Sequence, residues 1–185
     1  MMKKFARVLL KIFGWTITDS PEGVNKAIIV MGPHTSSFDF VIGRLAFWHY
    51  ELNAKFLIKS ELFFPPLGWL LKAMGGLPVS RNKHNKFTEQ AAKFFEEHEN
   101  LYLVFTPEGT RKYNPNWRKG FYYIALKANV PIYIGYMDYP TKTGGILKVF
   151  EPTGDIEKDF KYLKNELSQF RGKYPEQGIR SVEDE

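Results

Sequence analysis

The chain has 185 residues, 44% of them hydrophobic and 25% charged, an ordinary globular composition with enough length to bury a core without staples. It has no cysteine, which excludes disulfide scaffolds, cysteine-ligated zinc, iron–sulfur clusters and thiol nucleophiles. A formal net charge of +6 predicts attraction to an anion, whether nucleic acid, an acidic membrane surface or a phosphate-bearing substrate, and the 16% of aromatic residues suits base stacking and lipid contact alike.

No apolar run approaches the roughly 20 residues that cross a bilayer. In residues 1–15, Phe5, Val8, Leu9, Ile12 and Phe13 recur at helical spacing among Lys3, Lys4, Arg7 and Lys11, and Gly14 and Trp15 end the pattern. Lys11 interrupts the apolar run and no small-residue cleavage site follows, so a secretory signal does not fit. Such an amphipathic helix either lies on an anionic membrane surface or packs on the domain expected over residues 16–185. Ala27–Met31, closed by Gly32-Pro33, reads as a buried strand, followed by a helix through Phe40–Tyr50 and a strand at Ala54–Ile58. Phe63–Leu71 is greasy and broken by Pro65-Pro66, and Leu77–Val79 is a short strand behind Gly75-Gly76. A helix over Lys86–Glu99, a strand at Leu101–Phe105, a helix over Lys119–Ala128 and strands at Val130–Met137 and Ile146–Phe150 come next. Asp155 caps a last helix that carries Phe160, Leu163, Leu167 and Phe170, and Ser181–Glu185 reads as a frayed tail. Strands alternating with helices predict an α/β sheet covered on both faces.

Chemistry concentrates just past the strand ends. His34 and Asp39 lie in Gly32-Pro33-His34-Thr35-Ser36-Ser37-Phe38-Asp39. On one continuous helix their spacing would set them about 140° apart, so they meet only where a turn enters a helix. There the carboxylate can hold one imidazole nitrogen while the other faces substrate as a general base. Read alone, the segment fits better a serine-capped helix with an exposed loop histidine. Thr106-Pro107-Glu108-Gly109-Thr110-Arg111 follows the 101–105 strand, where α/β folds place ligand loops, and Arg111 offers a planar fork for phosphate. Read alone it is also a solvated turn with a salt bridge. Gly75-Gly76-Leu77-Pro78-Val79-Ser80-Arg81 and Val130-Pro131-Ile132 complete the set.

Taken in order, a histidine–four residues–aspartate motif, Gly-Gly-x-x-Val-x-Arg, Phe-(Thr)-Pro-Glu-Gly-Thr-Arg and Val-Pro-Ile resemble the four blocks of the glycerolipid acyltransferases of the 1-acyl-glycerol-3-phosphate type. The resemblance spans residues 27 to 137. It departs at Pro33, where many relatives carry Asn, and at the extra Thr106. It implies a single α/β domain with a mixed β-sheet flanked by helices, preceded by the amphipathic helix. It implies that His34 is the base on an acceptor hydroxyl and Asp39 its orienting partner. Arg81 and Arg111 would form part of a phosphate site, with Lys119 adding a charge, while Glu108, Gly109 and Thr110 shape the acceptor pocket. Acyl-coenzyme A or acyl-carrier protein is the expected co-substrate, with no cofactor or metal. The expected setting is cytoplasmic, peripheral on an anionic inner membrane face, with no nucleic acid as partner.

The residues favour direct transfer, since Ser36 and Ser37 lie outside any Gly-x-Ser-x-Gly elbow. Backbone amides near the His34–Asp39 turn are the expected oxyanion donors. Paired cations and the apolar Trp69, Leu70 and Leu71 together point to lysophosphatidic acid as acceptor. Two rival classes are a nucleic-acid binder, which lacks an RNP, KH or zinc-finger signature, and a lipid esterase that directs the same base at water.

Overall fold

A computed structural model describes residues 2–19, 24–80 and 84–182. In chain order they form α1 (Met2–Phe13), β1 (Thr16–Ile17), β2 (Lys26–Gly32), α2 (Phe38–Tyr50), β3 (Ala54–Lys59), α3 (Leu67–Ala73), β4 (Gly76–Val79), α4 (His84–Glu97), β5 (Leu101–Phe105), α5 (Gly120–Ala128), β6 (Ile132–Asp138), β7 (Thr143–Phe150) and α6 (Ile156–Ser168). One seven-stranded sheet runs in the order β1-β7-β6-β2-β5-β3-β4. Strands β2 to β6 pair in parallel, β7 runs antiparallel to β6, and β1 lies parallel to β7 on the edge. The chain is thus a single α/β domain with a mixed sheet flanked by helices.

Alternation along the central strands divides the core in two. Ala27, Ile29, Met31, Tyr133 and Met137 face α1 and α2, where they meet Ala6, Leu10, Ile42 and Phe47. Ile28, Val30, Leu101, Leu103, Ile132 and Ile134 face the other way and pack on Phe121 and Ile124 of α5, Ala91 of α4 and Leu163 of α6. Each such aliphatic side chain contributes roughly 1.5–3 kcal/mol by leaving water. The connection after β2 therefore runs over one face and the connection after β5 over the other. A crevice opens between these neighbouring strands at their carboxyl ends, which is where open α/β sheets bind ligands.

Asp159 is only 1% exposed, but its carboxylate accepts from Tyr122 OH (2.7 Å), Thr153 N–H (2.7 Å) and Thr153 OH (2.8 Å), which anchors α6 and leaves no unmet polar demand there. Asp155 caps α6 by accepting from Lys158 N–H at 3.2 Å. Strand β6 begins at Ile132 rather than Val130 because Pro131 has no N–H to donate, although its carbonyl still accepts from Ile28 at 3.0 Å. Strand β1 escapes the sequence pattern because two residues show no periodicity. The broken segment after Ile58 resolves into a 3₁₀ turn at Ser60–Leu62 and helix α3, with Trp69 and Leu70 exposed.

Helix α1 carries three sectors at 100° per residue. Ala6 and Leu10 are buried on the sheet side, Met2, Phe5, Val8 and Ile12 are exposed, and the cations occupy the remaining arc. Among the described residues no helix is long and apolar enough to cross a membrane.

Candidate active site

Residues 33–37 carry the chain from β2 into α2 and fold back on its first turn. The Asp39 carboxylate, 2% exposed, collects donors at both oxygens. His34 Nδ1 lies 3.0 Å from Oδ2, which also accepts the Thr35 and Ser36 N–H groups at 2.9 Å each, and Tyr139 OH donates to Oδ1 at 2.6 Å. Burial pushes this carboxyl up, but the bonds from His34, Tyr139 and Ser36 more than offset it and hold the acid below its ordinary value. A carboxylate can only accept, so Nδ1 carries the imidazole proton, and in the neutral ring Nε2 is the nitrogen free to accept one.

The loop after β5 supports this turn from a second side. Glu108, also 2% exposed, accepts the His34 N–H at Oε1 (3.0 Å) and Oε2 (3.2 Å). Asn114 Nδ2 donates to the Glu108 carbonyl, and Arg118 N–H to the Pro107 carbonyl, each at 2.7 Å. Gly109 turns the loop at φ +66°, where a Cβ would stand 3.0 Å from Arg118 Cγ. From a third side, residues 170–179 return to the turn. Tyr174 N–H donates to Thr35 Oγ1 at 3.2 Å, and a Cβ on Gly172 would come within 2.5 Å of that oxygen.

Burial, with a smaller contribution from the Asp39 charge, pushes the Glu108 carboxyl up to about 8 against the opposing His34 amide. The folded protein therefore keeps a proton that the unfolded chain releases at the ordinary carboxylate value. This contribution to stability is present in acid and is lost as pH rises toward about 8. Glu108→Gln keeps an acceptor for the His34 amide and removes the titration. Its melting temperature relative to the parent should rise between about pH 5 and about pH 8, and a parallel pair of curves would show Glu108 ionised throughout.

A groove of about 1160 Å³ opens at the turn. One part of its wall holds His34, Asp39, Ser37, Arg111, Arg118 and Lys119, and another holds Phe40, Phe47, Phe56, Leu57, Phe105 and Phe121. Arg111 Nη1 donates to Ser37 Oγ, which ties the cationic loop to the start of α2. Gly43 of α2 faces the groove, and a Cβ there would meet nothing within 4 Å.

Of the residues singled out in the sequence, His34, Asp39, Gly109, Arg111 and Lys119 share this groove. Glu108 does not line it and sits behind the His34 backbone. Thr110 is exposed and accepts from Lys112 N–H at 3.3 Å. Arg81 lies outside the described residues. One expectation is corrected and one is narrowed. The apolar wall comes from α2, β3, β5 and α5, whereas Phe63–Leu71 contributes nothing to it. The His34, Thr35 and Ser36 amides are committed to Glu108 and Asp39, and the Phe38 and Asp39 amides to Ser36, so these amides are not open to an oxyanion. Sequence reasoning missed Tyr139, which donates to Asp39, and Arg44, which lines the groove. Tyr139 follows the carboxyl end of β6, beside β2, so the strand-end rule applied to the fourth block finds it. Arg44 is the single Lys or Arg in α2.

No curated protein sequence matches the chain significantly. In solved structures the fold is similar to that of the 1-acyl-sn-glycerophosphate (LPA) acyltransferase, PlsC, from Thermotoga maritima, with a TM-score of 0.65 at 18% identity over 91% of this chain and 76% of that one. The acyltransferase family model matches residues 16–137, well over half of the length, so the chain belongs to the acyltransferase family and is an acyl-transferring enzyme.

Proposed function

We propose that the protein moves a fatty acyl group from the thioester of coenzyme A or an acyl-carrier protein to the free hydroxyl of lysophosphatidic acid, giving phosphatidic acid. The observation that carries this reading is the position of His34. Its Nδ1 is held by Asp39 while the ring lines a groove with a cationic rim and an apolar wall. A phosphate suits Arg111, Arg118 and Lys119, and an acyl chain suits the phenylalanines, so an acceptor bearing both satisfies the whole wall.

His34 Nε2 takes the hydroxyl proton as the oxygen attacks the thioester carbonyl. The tetrahedral intermediate then expels the thiolate, which recovers that proton from the imidazolium. Asp39 stabilises the imidazolium throughout. With the His34, Thr35 and Ser36 amides committed, the developing oxyanion is assigned to Ser37, whose hydroxyl Arg111 holds. The similarity to an enzyme described as an LPA acyltransferase supports the choice of acceptor. The exposed apolar sector of α1, flanked by Lys3, Lys4, Arg7 and Lys11, supports docking on the anionic cytoplasmic face of a membrane.

The test presents lysophosphatidic acid, glycerol 3-phosphate and other lysophospholipids in anionic vesicles with acyl-coenzyme A and acyl-carrier donors, and identifies products by mass spectrometry. Phosphatidic acid should dominate, and Ile12→Glu, on the exposed sector, should reduce vesicle binding without changing the product. Free fatty acid alone would replace the reading with an esterase. A different acylated lipid would overturn the acceptor.

A further inference from the structure

We propose that Tyr139 is a positioning residue that sets the charge and orientation of the Asp39–His34 pair. The inference rests on the reading of His34 as the base, and it concerns a residue beyond the span matched by the family model, which ends at 137. Tyr139 OH donates to Asp39 Oδ1 at 2.6 Å, whereas among the described residues the bonds from His34, Thr35 and Ser36 all fall on Oδ2. It is therefore the contact that fixes how the carboxylate plane turns toward the imidazole.

The phenol is itself held on several sides. Trp15, just past α1, packs edge-on against its ring with centroids 5.0 Å apart. Its N–H donates to the Arg171 carbonyl at 2.9 Å, and Arg171 N–H donates to Asp138 Oδ1 at 2.9 Å. Burial and the adjoining carboxylate push the Tyr139 phenol well above its ordinary value, so it remains a donor across the working pH range. The other titratable or charged groups facing this assembly are His34 on the turn, Glu108 from the loop after β5, Arg111 through Ser37, and Tyr174 from the returning C-terminal segment.

A hydrogen bond to the ionised acid favours ionisation, so its loss makes Asp39 easier to protonate. Tyr139→Phe removes that bond while keeping the ring against Trp15 and the backbone bond to Arg171. The expected result is a fall in kcat/KM of about tenfold on the pH plateau, with the acid limb of the profile displaced upward by about half a pH unit to one unit. A second reading comes from the proton on His34 Nδ1, assigned in the NMR spectrum by its loss in His34→Ala. With less competition for the carboxylate charge, this resonance should move downfield in Tyr139→Phe.

An unchanged acid limb together with an unmoved resonance would overturn the proposal, even if activity fell evenly at all pH values, because that is what a packing role produces. If Tyr139→Phe melts too low for kinetics, the resonance is read at low temperature and decides alone. Should the parent enzyme transfer no acyl group, the base assignment fails instead, a result separable from a displaced resonance in the variant.

Discussion

His34→Ala should lose acyl transfer by roughly 10²–10⁴-fold while the protein keeps its fold, because the positioned base supplies an effect of that size and, among the described residues, no other histidine lines the groove. The fold is expected to survive for a specific reason. The ring is 23% exposed, and removing it leaves Asp39 with the Thr35 and Ser36 amides and the Tyr139 hydroxyl. The carboxylate is thus not stranded, and the His34 N–H still reaches Glu108. Initial rates and a melting curve on the same preparation decide the matter. Near-normal turnover in a natively melting variant would end the His–Asp mechanism.

Asp39→Asn attacks both the reaction and the turn. An amide offers one acceptor oxygen and one donor nitrogen where the native carboxylate offers two acceptors. If the oxygen takes the Oδ2 position, the backbone bonds survive and the NH₂ meets Tyr139, whose hydroxyl can rotate and accept. In the opposite orientation the NH₂ confronts the Thr35 and Ser36 donors. The first orientation should prevail, with His34 Nδ1 bonded to a neutral oxygen that stabilises the imidazolium poorly. A rate loss of about 10²–10³-fold and a stability loss of about 1–3 kcal/mol are expected. The sign of the pH dependence follows from the depressed acid. Asp39 contributes stability above the ordinary carboxylate value and loses it as pH falls through its lower folded value. The stability gap between parent and variant should therefore close in acid. A variant that turns over normally, or one whose deficit persists unchanged at low pH, would remove Asp39 from its assigned role.

Pattern located most elements because burial on two sides of one sheet makes β2, β5 and β6 near-continuous apolar runs and writes helical spacing into α1, α4 and α6. It failed where geometry is decided at long range. Strand β1 owes its pairing to β7, and α3 is a single short helix behind two prolines. The pairing of His34 with Asp39 was legible because a turn entering a helix is a local event. Trp69, Leu70 and Leu71 were read as the sign of an acyl chain but do not line the groove, since hydrophobic residues in sequence do not say which cavity they face. Tyr139 lies 100 residues from the carboxylate it touches, and only the adjacency of β6 to β2 brings them together.

The braces on the turn have a consequence in time. Residues 33–39 emerge early from the ribosome, yet the hydroxyl that orients Asp39 belongs to residue 139, and the contact on Thr35 belongs to residue 174. Contacts of such sequence separation form late, because a long loop must close before they hold. A nascent chain stalled before residue 139 has its histidine and aspartate but neither the brace on Oδ1 nor the last strand and helix of the fold. The turn is braced on its third side only once the C-terminal segment has returned to Thr35.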